Sequence, residues 1–339
     1  MHHNHITATS SKALALASAC LIGFSMSASA HDHGPEYDAR LSDYPYPFDV
    51  HTFEFDSQRQ SLEMAYMHLP AADGQATVVL LHGKNFGSDY WEDTATYLHD
   101  KGYGVLMPDQ VGFGKSSKPE HYQFTIEGLV NNTRELVDTL DIDDVIVMGH
   151  SMGGMLATRY ALNHADEVER LIMVNPVGLE DYLRYVKYQD ADFFYANELD
   201  KTIDGVREYQ REHYYDGEWS EDYEALIQIH AGWINGPDWE RVAWNNALTF
   251  DMIFTGPVVN EFDQLEVPTH LIIGTRDTTG PGRGWKKDGV DYELGQFDQL
   301  GKRAAERIPE AYLHELDEIG HMPQFEAFDR YRSILDEIF

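Results

Sequence analysis

Val145-Ile146-Val147-Met148-Gly149-His150-Ser151-Met152-Gly153 is the stretch on which the reading of this chain turns. Its four leading apolar residues suggest a buried strand, and the pattern from Met155 to about Asn163 is helical. Between them the chain must turn so sharply at Ser151 that side chains two before and two after would collide. Both positions are glycine. Such a turn lifts the serine Oγ to the top of the sheet, beside the backbone N–H groups that open the helix. A glycine-rich strand-to-helix turn in a nucleotide-binding fold is the bland alternative. Against it, the partners of a reactive serine also occur, and in the right order.

Uninterrupted apolar runs recur on either side, at Thr77 to Leu81, Gly104 to Met107, Leu171 to Val174 and His270 to Ile273. Runs of this kind are expected of strands covered on both faces, hence of a parallel sheet with crossover helices. Helices are expected near Tyr90 to Leu98, Ile126 to Leu140, Gln299 to Ile308 and Phe325 to Phe339. Upstream, Thr52 to Phe55 and Leu62 to His68 alternate as a half-buried pair of strands. The expected fold class is therefore α/β, a mostly parallel central sheet of about eight strands flanked by helices.

Between Gly178 and Phe262 the alternation breaks down. Residues 182 to 254 carry 16 of the chain's 42 aromatic residues with many acids and no strand pattern, which reads as a helical insertion. Most of these aromatics are expected to form the insertion's own core. A minority would roof an apolar pocket over the elbow. The expected domains are a core of residues 31–177 and 263–339 and a cap of 178–262.

Residues 1–30 read as a signal peptide. Lys12 precedes an apolar stretch from Ala13 to Met26, too short to span a bilayer, and Ala28-Ser29-Ala30 supplies a small-residue cleavage site. Cleavage after Ala30 would place the protein in the periplasm or outside the cell. Cys20 sits inside the apolar stretch, where a lipid-anchor cysteine would not, so the mature chain would hold no cysteine. Lys12 is the one charged side chain removed, so the formal charge of −33 becomes −34. A field this negative repels nucleic acid and favours neutral or cationic small molecules. No later segment is apolar enough to cross a membrane.

Four motifs together resemble the α/β-hydrolase family with a helical cap, over roughly residues 50 to 339. Leu80-Leu81-His82-Gly83 matches its His-Gly turn, and Asp109-Gln110-Val111-Gly112-Phe113-Gly114-Lys115-Ser116 its Asp-x-x-Gly-x-Gly-x-Ser loop. Gly149 to Gly154 is the elbow, and Gly320-His321 follows the last strand. The resemblance implies a serine nucleophile, Ser151, activated by His321, with Asp277 fixing the histidine tautomer. His314 lies within the last strand, His82 is structural in the family, and the side chain of His150 points elsewhere. Glu180 or Asp181 could supply the acid instead, because Thr278 to Gly301 is longer and richer in glycine than the family's usual connection. The backbone N–H groups of Met152 and Lys84 are the expected oxyanion donors, with Asn85 or Phe86 replacing Lys84 if the turn is offset. The ammonium of Lys84 itself is expected to be solvated.

Gly114-Lys115-Ser116 is no phosphate loop, since Asp109 occupies the position of its required glycine. Nor is there a His-Glu-x-x-His or paired-cysteine zinc motif. The reaction implied is cleavage of carboxylic esters of neutral, partly apolar small molecules through an acyl-enzyme, with no cofactor. C–C bond hydrolysis of ring-cleavage products, lactone or amide hydrolysis, and ligand binding by a vestigial triad are the alternatives.

Overall fold

The central strands of the sheet are buried on both faces, which is why they read as unbroken apolar runs, while its outer strands stay partly exposed. The structure is a computed structural model that describes residues 34–339; the expected signal peptide lies outside the described residues. Eight strands run β1 (Val50–Ser57), β2 (Gln60–Leu69), β3 (Thr77–Leu81), β4 (Gly104–Pro108), β5 (Val145–His150), β6 (Val168–Val174), β7 (Thr269–Gly274) and β8 (Ala311–Leu316). Their order in one sheet is β1-β2-β4-β3-β5-β6-β7-β8. The pairs β1–β2 and β2–β4 are antiparallel, and every pair from β4 onward is parallel. Val79 and Leu81 of β3 enter one apolar cluster, Val78 and Leu80 the other, and β5 divides its residues the same way.

Helices α1 (Glu92–Asp100), α2 (Ile126–Thr139) and α3 (Met152–Asn163) cross between core strands. Between β6 and β7 come five helices: α4 (Ala191–Leu199), α5 (Ile203–His213), α6 (Glu221–Leu226), α7 (Gln228–Asn235) and α8 (Trp239–Thr255). Asp190, Thr202 and Ser220 cap α4, α5 and α6 by accepting backbone N–H bonds. The chain ends with α9 (Phe297–Arg307), α10 (Pro323–Glu326) and α11 (Phe328–Ile338). The single helix expected over 325–339 is thus broken at Ala327, whose φ of −147° and ψ of 54° are not helical. There Glu326 faces back and accepts N–H bonds from Gly320 and Met322.

Parallel pairing brings the carboxyl ends of β3, β5, β7 and β8 to one edge of the sheet. Leu81 lies beside Gly149, and Gly274 beside Leu316. The loops after β3, β5 and β8 carry three of the family-like motifs and the loop after β7 carries Asp277, while the Asp109 motif follows β4; open α/β sheets place their sites at such ends. No helix among the described residues is long and apolar enough to cross a membrane.

Candidate active site

Ser151 is held at φ 55° and ψ −120°, a conformation an L-residue rarely adopts, directly between β5 and α3. The two glycines make it possible. A Cβ on Gly149 would lie 2.0 Å from the Gly153 carbonyl oxygen, and one on Gly153 would lie 2.0 Å from that of Leu81. The serine's own backbone is fully engaged, its N–H donating to Val174 and its carbonyl accepting from Gly154 and Val177. The side chain is therefore aimed by a backbone that cannot relax.

His321 meets it from the loop after β8. Its Nε2 is 3.1 Å from Ser151 Oγ, and its Nδ1 is 2.6 Å from Asp277 Oδ2. Asp277 is wholly buried in the loop after β7, where Thr279 N–H donates to Oδ1 and Asn175 Nδ2 to Oδ2. Burial opposes ionisation of this carboxyl, yet the His321 imidazole and these hydrogen bonds hold it below its ordinary pKa. Since Asp277 only accepts, His321 Nδ1 carries the proton and Nε2 presents its lone pair to the serine hydroxyl. Glu326 braces the loop by accepting from Gly320 and Met322 and pairing with Arg276, the neighbour of Asp277.

The turn after β3 is held just as firmly. Gly83 lies so close that a Cβ there would be 3.1 Å from Ser151 Cβ. Its carbonyl accepts from His82 Nδ1 at 2.9 Å and from Phe86 N–H at 3.4 Å. In a planar trans peptide the next N–H points the opposite way, so the Lys84 N–H is turned away from those bonds. Neither it nor the Met152 N–H has a backbone partner among the described residues.

His150 has a part that sequence reasoning missed. Its Nε2 is 2.8 Å from the His321 carbonyl, which only accepts, so Nε2 carries the proton. Bare Nδ1 then accepts from Tyr90 Oη at 3.0 Å, and that oxygen accepts the Gly83 N–H, also at 3.0 Å. One buried chain of hydrogen bonds therefore ties the β3 turn to the His321 backbone. Burial drives the pKa of His150 down to about 3, so the relay stays neutral.

A family model described as the alpha/beta hydrolase fold matches residues 76–328. The chain belongs to the α/β-hydrolase family. A solved structure of a probable hydrolytic enzyme from Pseudomonas aeruginosa PAO1 is 46% identical, with a TM-score of 0.87 over 90% of this chain and 98% of that one. The enol-lactonase from Burkholderia xenovorans LB400 shares the fold at 20% identity and TM-score 0.60, over 82% and 96%. Among curated relatives, the 2-hydroxy-6-oxo-2,4-heptadienoate hydrolase of Pseudomonas putida is 32% identical over 104 residues, 30% of this chain and 38% of that protein. An uncharacterised Mycobacterium bovis protein is 34% identical over 109 residues, 32% of this chain. The match spans only 31% of that relative's length.

In this α/β hydrolase Ser151 opens into a cavity of about 600 Å³, within the range of small-molecule sites. Of the cap aromatics, Phe193, Phe194, Tyr209, Tyr214 and Phe250 line it. The glycine-rich segment after Asp277 supplies another wall, from Thr279 to Trp285. That wall is docked to the cap entrance by a Val186–Lys286 bridge and by Tyr185 stacked 4.0 Å from Tyr292. Glu180, the alternative acid, is elsewhere: its Oε2 accepts the Gly295 N–H at 3.1 Å, and it lines a separate cavity. It fastens the long segment, whereas His321 Nδ1 is occupied by Asp277. Neighbouring Asp181 pairs with Arg184.

One expectation is corrected. The Lys84 side chain does not project from the protein surface: the residue is 8% exposed, lines the same cavity as Ser151, and its ammonium sits 5.3 Å from the centre of the Phe250 ring. The cap folds over it, which no local pattern around residue 84 signals. Among the described residues no cluster of histidine, cysteine and acid side chains fits a metal ion.

Proposed function

We propose that the chain is a serine hydrolase that cleaves carboxylic esters of small molecules through an acyl-enzyme on Ser151. The observation that carries this reading is the 3.1 Å approach of His321 Nε2 to Ser151 Oγ, with Asp277 behind the same imidazole. Ser151 Oγ bonds to the ester carbonyl carbon while its proton passes to His321 Nε2. The oxyanion so formed is met by the Lys84 and Met152 N–H groups, each contributing about 3 kcal/mol at such sites. When the tetrahedral intermediate collapses, the C–O bond to the alcohol breaks and His321 returns its proton to the leaving oxygen. A water molecule then attacks the acyl carbon while giving up a proton to His321, the C–O bond to Ser151 Oγ breaks, and that oxygen recovers the proton from His321 as the acid is released. Asp277 stabilises the imidazolium at each step without taking its proton.

Turnover of 4-nitrophenyl acetate and butyrate tests the reading. Wild type is expected to cleave both and to be labelled on Ser151 by a fluorophosphonate. In Ser151→Ala both signals should vanish. An unlabelled Ser151 in folded wild-type protein would remove the reading.

A further inference from the structure

The chain as a whole is strongly acidic, but the polar groups inside the cavity are arranged the other way. Glu198 of α4 is the one buried acid lining it among the described residues, and both its oxygens are taken. Oε1 pairs with Lys201 Nζ at 2.7 Å, and Oε2 accepts from Asn246 Nδ2 at 3.3 Å. Lys84 feels the Glu198 charge, which favours its cation, but makes no hydrogen bond to that carboxylate among the described residues. Its three N–H donors find one side-chain acceptor, Asn85 Oδ1, at a long 3.4 Å.

His230 of α7 lines the same cavity, is 3% exposed, and has no partner for either ring nitrogen. Burial pushes the Lys84 pKa down to about 8, which leaves it a cation at neutral pH. Burial likewise holds His230 near 3, so its imidazole is neutral, with one N–H to donate. The unmet hydrogen-bonding capacity is therefore a cation, one neutral N–H donor and one bare ring nitrogen, while each oxygen of the acid beside them already has a partner. Buried polar groups left this way are destabilising unless water or a ligand completes them, and among ligand groups an ionised carboxylate offers the strongest acceptors.

We propose that Lys84 and His230 form a carboxylate subsite, and that the natural substrates are esters carrying a second, ionised acid group. This rests on the reading of Ser151 as the nucleophile. Lys84 grows from the residue whose N–H is assigned to the oxyanion, so scissile carbonyl and second acid are separated by no more than one lysine side chain. Half-esters of short dicarboxylic acids, or lactone acids of similar length, meet that requirement.

The test compares monoethyl adipate with ethyl hexanoate, which has a methyl group where the half-ester has its free carboxylate. Binding is read by calorimetry on Ser151→Ala, which keeps the subsite measurable whether or not esters are cleaved. The half-ester should bind at least about tenfold more tightly, as expected for hydrogen bonds to a charged group. Adding either Lys84→Met or His230→Phe should abolish most of that advantage. Two variants guard against one of them failing to fold, which circular dichroism reports. Equal or weaker binding of the half-ester, or an advantage that survives in folded forms of both variants, would overturn the subsite. Half-ester binding intact in a wild-type protein that cleaves no ester would support the subsite while removing the hydrolase reading.

Discussion

At the scale of the residue, the candidate site is a set of side chains whose hydrogen-bond roles are fixed by their partners. Asp277 is the clearest case, because three donors and full burial leave its carboxylate one task, holding His321 with Nδ1 protonated. Asp277→Asn can present an N–H to that nitrogen and force the wrong tautomer. Its kcat on 4-nitrophenyl butyrate should fall by about 10⁴-fold, the loss typical of that exchange in a triad. Glu180→Gln should turn over like wild type; the reverse pattern would make Glu180 the acid. Tyr90→Phe tests the relay to His150. It strips partners from the buried Gly83 N–H and His150 Nδ1, a loss of about 1–3 kcal/mol of stability for each such group. Because the β3 turn is loosened rather than removed, kcat should fall by roughly one to two orders of magnitude with KM nearly unchanged, less than losing an oxyanion donor outright. A change in KM alone would mean that the relay serves packing. Ser151, His321 and Asp277 were legible because each follows a strand end with a characteristic neighbour. His150 was not, since nothing next to Ser151 announces a bond to a carbonyl 171 positions away.

Among the elements, the strands were readable and their attachments were not. Runs such as Val145 to Met148 reveal burial on two faces whatever lies opposite, so the central strands could be read from the apolar pattern, though their order in the sheet could not. The role of residues 34–49 depends on contacts with distant elements. Tyr37 pairs with Gly232, Ala39 N–H bonds Asp238, and Tyr46 Oη donates to Asp109, so this segment straps the cap to the loop after β4. Asp109 also accepts from Ser88 and Lys115 N–H groups and leaves no room for a Cβ on Gly114, which would lie 2.1 Å from Oδ2. Next to this anion lies Asp89, whose Oδ2 accepts from Tyr44 Oη at 3.2 Å. Burial, and then the charge of Asp109, raise its pKa to about 7. An unfolded aspartate titrates near 3.9. From about pH 4 to 7 the folded chain therefore holds one proton more than the unfolded one, and this site loses stability as pH rises through that window. Asp89→Asn keeps an acceptor for Tyr44 without the charge. Thermal denaturation should show a gain in Tm that is larger at pH 8 than at pH 5; a loss at pH 8 would mean that the carboxylate is comfortable ionised.

For the molecule as a whole, the formal charge of −33 and the cavity act on a substrate at different ranges. Surface acids set the long-range field, and from it alone a neutral or cationic substrate is the natural expectation. Lys84 and His230 act only at contact, and the cap that buries them is supplied by residues more than a hundred positions after Lys84. That separation is why the sequence conveys the sign of the outer field and conceals that of the inner one. Salt distinguishes the two, because exposed charges are screened within about 10 Å at 0.1 M ionic strength while buried pairs are screened much less. Raising sodium chloride should relieve the repulsion of an anionic ester on approach and leave its grip on Lys84 largely intact. The kcat/KM for monoethyl adipate should therefore increase several-fold between low and high salt, with that for ethyl hexanoate nearly flat. Steady-state rates on both esters across the salt series give the ratio directly, and that ratio cancels any general effect of salt on the fold. A ratio that falls with salt would mean that positive potential at the cavity mouth, not the acidic surface, governs how the substrate arrives.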